Sequence, residues 1–194
     1  MLSMHYTYVI SLSLLEYAPT INMSSPDEAS LVRKAQAGDR QALGQLWDTL
    51  TPKLFGYLVN TLRDKALAED VLQTTWLKAI GALPGYQNRG VGLSAWLFTI
   101  ARNECQQLWR KGGREVPLDT EIHDKAGDAG GTEEKIMSEQ ILAALSSDDR
   151  ELLRLRYIAD LSINEIAKVL NSNSVAVRVR IHRALARART TLTA

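Results

Sequence analysis

Residues 162–189 hold two short helical patterns separated by a three-residue turn, and the second is loaded with arginine. Ser162 followed by Glu165 has the spacing of a capping box, so a helix is predicted to start there. Ile163, Ile166, Ala167 and Leu170 then recur on one helical face. Asn171 can take the left-handed conformation that ends a helix, and Asn173 suits the N-cap of the next. A short helix, a tight turn and a basic second helix make a helix-turn-helix of the kind that reads DNA.

Laid out at about 100° per residue, the second helix places Val177, Ile181, Ala184, Leu185 and Ala188 on one side, as a core face. Arg178, Arg180, Arg183, Arg187 and Arg189 flank that stripe, with His182 among them, and no acid follows Glu165. Such a face suits phosphate, because every neutralised phosphate releases counterion. Val175 and Val179 fall on the outward side, where valine can meet thymine methyl groups in a major groove or dock a protein.

The rest of the chain narrows the choice of partner and chemistry. Net charge is only +1, so the basic character is local rather than a general coat. Cys105 is the single cysteine, and His5, His123 and His182 are scattered, which leaves no disulfide framework and no metal-ligand spacing. No nucleophile-base pairing and no phosphate-cradling glycine motif is present, so neither catalytic residues nor a cofactor is expected. Residues 1–24 form an extension with an apolar run but no Lys or Arg before it, matching neither a signal peptide nor a membrane span. The expectation is either a start assigned too far upstream, with Met23 the true beginning, or a disordered tail, and a cytoplasmic protein without membrane insertion.

From Ser25 onward the periodicity is helical throughout, and no alternating strand pattern occurs. Ser25, Pro26 and Glu28 give a cap, a first-turn proline and a capping-box acid, and Gly38 stops that helix. Further helices are predicted over about 40–62, with Pro52 as a kink, about 65–82 and about 93–110. The third carries Ala68, Val71, Leu72, Thr75, Trp76, Ala79 and Ile80 as its apolar stripe, and the fourth Trp96, Leu97, Ile100, Ala101 and Leu108. Residues 112–132 lose all periodicity and are rich in glycine and acid, which predicts a flexible linker. Periodicity resumes near Glu133 with Ile136, Met137, Ile141 and Leu142, and Ser146 opens another helix with Asp148 and Asp149 at its positive end. The predicted fold is all-α, with two small helical bundles, 25–111 and 133–194, joined by that linker.

The ordered motifs resemble those of an extracytoplasmic function (ECF) sigma factor, the small two-domain branch of the bacterial sigma-70 family. Ala68-Glu69-Asp70-Val71-Leu72-Gln73 resembles the family's core-polymerase-binding helix. The run from Ala95 to Asn103 resembles its −10 promoter-reading helix. Leu152-Leu153-Arg154-Leu155-Arg156-Tyr157, with Leu161-Ser162 and Glu165-Ile166-Ala167, resembles its −35-binding domain. The resemblance implies a protein that binds core RNA polymerase, recognises −35 and −10 elements and helps melt promoter DNA, with an anti-sigma factor as a further partner.

On this resemblance Asp70 and Gln73, three apart on one helix face, would touch polymerase. Thr74 departs from the Glu common in the family. Arg89, Arg102, Asn103, Gln106, Trp109, Arg110 and Lys111 would meet the −10 element, with the Asn88–Gly90 loop placed to capture a flipped base and Trp109 offered for stacking. Ser174, Val175, Arg178, Val179, Arg180, His182 and Arg183 would meet the −35 element, on a helix where Ala176 lacks the usual hydroxyl. Two other readings fit parts of the chain. A helix-turn-helix regulator acting without polymerase would explain the C-terminal half alone, and a decoy that binds an anti-sigma factor would not need the retained arginines.

Overall fold

The structure is a computed structural model that describes residues 26–88, 90–111 and 145–192. The N-terminal extension, Ser25, Arg89, the expected linker at 112–132 and the helical pattern around Ile136, Met137, Ile141 and Leu142 lie outside the described residues. Among the described residues there are seven α-helices, one 3-10 turn and no strand. They are α1 (Pro26–Gln36), α2 (Arg40–Leu62), α3 (Lys65–Ala82), α4 (Leu93–Lys111), α5 (Ser147–Tyr157), α6 (Ile163–Val169) and α7 (Ser174–Leu192).

Local chemistry sets nearly every boundary. Gly38 adopts a φ of +92°, which only glycine takes without strain, and it ends α1. Asp39 then caps α2 by accepting from the amides of Gln41 and Ala42. Helix α2 continues through Pro52 to Leu62. Arg63, left-handed at φ 56°, closes it and Asp64 caps α3 at once through the Leu67 amide, so α2 and α3 are joined by two residues. Helix α3 tightens into the 3-10 turn Leu83–Gly85. Ser146 caps α5, and Ser162 with Glu165 forms the full capping box of α6. Asn171 is left-handed at φ 48°, and the Asn173 side chain accepts from the Ala176 amide at 2.7 Å.

Helices α1 to α4 pack in sequence around Leu54, Tyr57, Leu58, Leu97 and Phe98, all fully buried. The Tyr57 and Phe98 rings meet edge to face with centroids 5.5 Å apart. Helices α5, α6 and α7 close a second group around Leu152, Leu155, Leu161, Ile166 and Val177. The two groups do not stand apart. Helix α4 packs against α6, α2 packs against α5, and the apolar core runs through both groups as one cluster. Polar links cross the same seam: Lys53 Nζ to Asp160 Oδ2 at 2.9 Å, and the Ser94 hydroxyl donating to Glu165 Oε1 at 2.5 Å in a buried setting.

Glu165 therefore closes the α6 capping box and accepts from Ser94 across the seam. Ser162→Ala is expected to cost about 1 kcal/mol of stability. Glu165→Ala is expected to cost about 1–3 kcal/mol more, because it also strands the buried Ser94 hydroxyl. Urea unfolding of the two variants checks this ordering, and equal losses would show that the Ser94 bond contributes nothing.

Candidate nucleic-acid interface

Helix α7 buries Val177, Ile181, Ala184 and Ala188 against α5 and α6. That packing turns the opposite face outward, leaving Val175 68% and Val179 43% exposed, with Arg178, His182 and Arg183 exposed beside them. Ser174 lies half-buried at the start of the helix. Arg180 behaves differently from the expectation. Its guanidinium turns toward the acidic first turn of α5, 3.6 Å from Asp148 and 3.9 Å from Asp149, and Arg187 donates to the same Asp149. Asp149 is buried, so it draws two of the arginines of α7 into a structural contact. Arg178 and Arg183 remain as cations presented outward beside the valines.

Helix α4 carries the second group of candidates. Asn103, Arg110 and Lys111 are exposed. Arg102 is held instead: its Nε donates to Glu151 Oε1 at 2.7 Å, and Gln106, four residues on, is half-buried. Burial alone would lower the Arg102 pKa, but the Glu151 carboxylate outweighs it and the guanidinium is raised above its usual value. Trp109, expected as an exposed stacking ring, is half-buried and packs against the core. Trp96 is half-buried as well, its ring 4.9 Å from that of Tyr86. Arg89 lies outside the described residues.

Helix α3 presents Asp70 and Gln73 to solvent, as their shared face predicts. The same stripe continues into apolar residues that sequence reading missed. Leu77, four residues after Gln73, is 73% exposed, and Ile80, expected in the core, is also exposed. Trp47 of α2 extends this patch, 37% exposed and stacked at 4.6 Å on buried Trp76. Thr74 is half-buried, and neighbouring Thr75 turns fully inward to donate to the Val71 carbonyl. The available signal was width: apolar residues at 71, 72, 76, 77, 79 and 80 cover more of α3 than one packing face can bury. An acid, an amide and three large apolar groups on one surface suit a protein partner better than DNA.

Comparison with known proteins finds matches in two separate stretches of the chain. Residues 46–115 match the model of sigma-70 region 2, and residues 138–187 match that of sigma-70 region 4. The chain is 35% identical over 185 residues to the ECF RNA polymerase sigma factor SigD of Mycobacterium tuberculosis, an alignment covering 89% of this chain and 87% of that protein. It is 33% identical over 177 residues to the ECF RNA polymerase sigma factor ShbA of Streptomyces griseus, covering 82% and 92%. Among solved structures, CnrH in complex with the cytosolic domain of CnrY is similar at a TM-score of 0.65 and 27% identity, covering 86% of this chain and 97% of that one. The sigma factor RpoE of Bartonella quintana, in complex with the anti-sigma factor NepR, is similar at 0.61 and 26%, covering 78% and 96%.

The geometry of α7 separates arginines that sequence alone treats alike. Arg178→Ala is expected to reduce the salt slope of duplex DNA binding by about one, the signature of a lost phosphate contact. Arg180→Ala is expected to leave that slope near the wild-type value, because its charge is already matched by Asp148 and Asp149. Fluorescence anisotropy titrations across a salt series distinguish the two, and equal slope changes would contradict the assignment.

Proposed function

This chain belongs to the ECF sigma factors of the sigma-70 family, and from that membership we propose how its surfaces divide the work of initiation. Core RNA polymerase docks on the α3 face formed by Asp70, Gln73, Leu77 and Ile80, with Trp47 of α2 at its edge. Helix α4 meets the −10 element through Asn103, Gln106, Arg110, Lys111 and, once released from Glu151, Arg102. Helix α7 enters the major groove of the −35 element with Val175, Arg178, Val179, His182 and Arg183. The single observation that carries this reading is the pairing, in one chain, of a mixed polar and apolar protein-docking face on α3 with an exposed basic helix-turn-helix.

The seam between the two groups bears on how the protein engages a promoter. The two elements lie about 25 base pairs apart, roughly 85 Å at 3.4 Å per pair. Helices α4 and α7 both belong here to a single packed body in which α6 touches each of them. One arrangement cannot serve both elements at once, so engagement parts α4 from α6 and frees Arg102 from Glu151. Residues 112–132 are the proposed tether across that opening, and tethering both readers on one polymerase raises the effective concentration of the second contact.

Chemistry belongs to the polymerase in this scheme, and the chain supplies affinity and geometry. Its cysteine fits that role, since burial pushes the Cys105 thiol up to about 12 and keeps it protonated and unreactive. No helix among the described residues is long and apolar enough to cross a membrane. The proposed place of action is the cytoplasm, where polymerase and promoter meet. An anti-sigma factor is the proposed regulatory partner, supported by the complex in which the related RpoE is held by NepR.

Transcription in vitro with purified bacterial core polymerase and a genomic promoter library tests the reading. The expected result is new transcripts whose upstream DNA shares −35 and −10 sequences, and none without the protein. Leu77→Ala is expected to weaken core binding about tenfold, the scale of a central apolar anchor at an interface. Promoter-specific duplex binding with no affinity for core would favour a regulator that acts without polymerase.

A further inference from the structure

Helix α4 begins without a cap of its own. The first amides of a helix need acceptors from outside it, and the usual source is a side-chain oxygen on the residue just before the first turn. Here that residue is Gly92, which has none to give. The acceptor comes from α1: Glu28 Oε1 takes the Leu93 N–H at 2.6 Å, across 65 residues of sequence. Gly92 and Glu28 are matched in shape as well. A Cβ on Gly92 would lie 2.5 Å from Glu28 Oε1, so any larger residue there would push the carboxylate away.

Helix α1 grips the other end of the same connection. The Gln36 amide donates to the Leu83 carbonyl at 3.0 Å and to the Tyr86 carbonyl at 2.7 Å. Tyr86 in turn stacks on Trp96, one turn into α4. Two polar side chains of one helix therefore fix where α4 starts and how the chain enters it. Both bonds are long-range and partly buried, a setting in which loss of one partner leaves a desolvated group without its bond. Burial raises the Glu28 pKa above the ordinary carboxylate range; the Leu93 bond opposes that rise and nearby Glu165 adds to it. The carboxyl is thus kept in place despite an unfavourable environment, where a solvent-exposed acid would cost nothing.

We propose that Glu28 is a positioning residue for promoter opening, acting as a cap supplied from α1 that fixes the start of α4 against Gly92 and Leu93. It touches no DNA in this scheme. It holds the helix that carries Asn103, Arg110 and Lys111 at a set position and pitch, and Gln36 holds the entering chain beside it. The inference rests on the sigma-factor reading for its functional consequence but not for its structural one, and the two can be tested apart.

The test uses the full chain with Glu28→Ala, Glu28→Gln, Gly92→Ala and the Glu28→Ala/Gly92→Ala double variant. Hydrogen exchange of the first turn of α4 in the free protein reads the cap itself. Faster exchange is expected in Glu28→Ala and Gly92→Ala, and near-wild-type exchange in Glu28→Gln, whose amide oxygen can accept the same N–H. Permanganate reactivity on a promoter that the wild-type protein opens with core polymerase reads the consequence. Opening is expected to fall about fivefold in either single alanine variant, the scale of one lost cap. The double variant should be no worse than the singles, because both remove one contact. Affinity for core polymerase should stay at the wild-type level, since the α3 face is untouched. Unchanged exchange in Glu28→Ala would overturn the cap. Altered exchange with wild-type opening, or with parallel loss of core affinity, would overturn the positioning role. Failure of the wild-type protein to open any promoter would overturn the sigma-factor reading, leaving the exchange result to stand alone.

Discussion

The burial of α4 between two helical groups is the constraint on which the rest of this structure depends. Its inner face, with Leu97, Phe98, Ala101 and Cys105, completes the core of α2 and α3. Its first turn meets α6 through the buried bond from Ser94 to Glu165, and its middle meets α5 through Arg102 and Glu151. One helix is thus the main strut of the N-terminal group, the floor on which the helix-turn-helix rests, and the proposed reader of the −10 element. These roles compete. The seam is closed by polar bonds and by the apolar core that runs through both groups, and an intramolecular bond to a charged group contributes on the order of 1.5–3 kcal/mol net.

Charge is used in two distinct ways. Asp148, Asp149 and Glu151, all in the first half of α5, gather Arg180, Arg187 and Arg102 into internal pairs. Arg178, Arg183, Arg110 and Lys111 face solvent. The pairs at Asp149 lie within the C-terminal group, so the proposed opening of the seam would leave them to orient α7. The Arg102 pair spans the seam, so the proposed opening would break it and deliver its cation only to the engaged form. A net charge of +1 for the whole chain conceals this arrangement.

Much of the architecture was legible in the sequence because the signals are local. Ser162 with Glu165, Asn171, Asn173, Gly38 and Ser146 each act on neighbours within four residues, and the helix limits follow from them. Helical periodicity likewise identified Val177, Ile181, Ala184 and Ala188 as the inner face of α7. The unread features depend on residues far apart. Glu28 has the spacing of a local capping-box acid, yet its carboxylate reaches Leu93 because the fold brings α1 alongside α4. Arg180 looked like its neighbours until Asp148 and Asp149 were placed opposite it. Leu77 and Trp47 are large apolar residues, and only the packing of α2 on α3 reveals that the bundle leaves them outside. Contact between the two bundles was unreadable for the same reason, since nothing local announces that Ser94 and Glu165 will meet.

The proposed DNA readers, α4 and α7, are packed together through α6 in the free protein, and in the proposed mechanism they part when polymerase and promoter bind. Energy transfer between dyes on Gln45→Cys in α2 and Ala186→Cys in α7 tests it directly. Both positions are exposed, and buried Cys105 stays unlabelled because its thiol is held protonated. Efficient transfer is expected in the free protein, with a large fall on the complex with core polymerase and promoter DNA. Transfer that is low in the free protein, or unchanged on the complex, would contradict it.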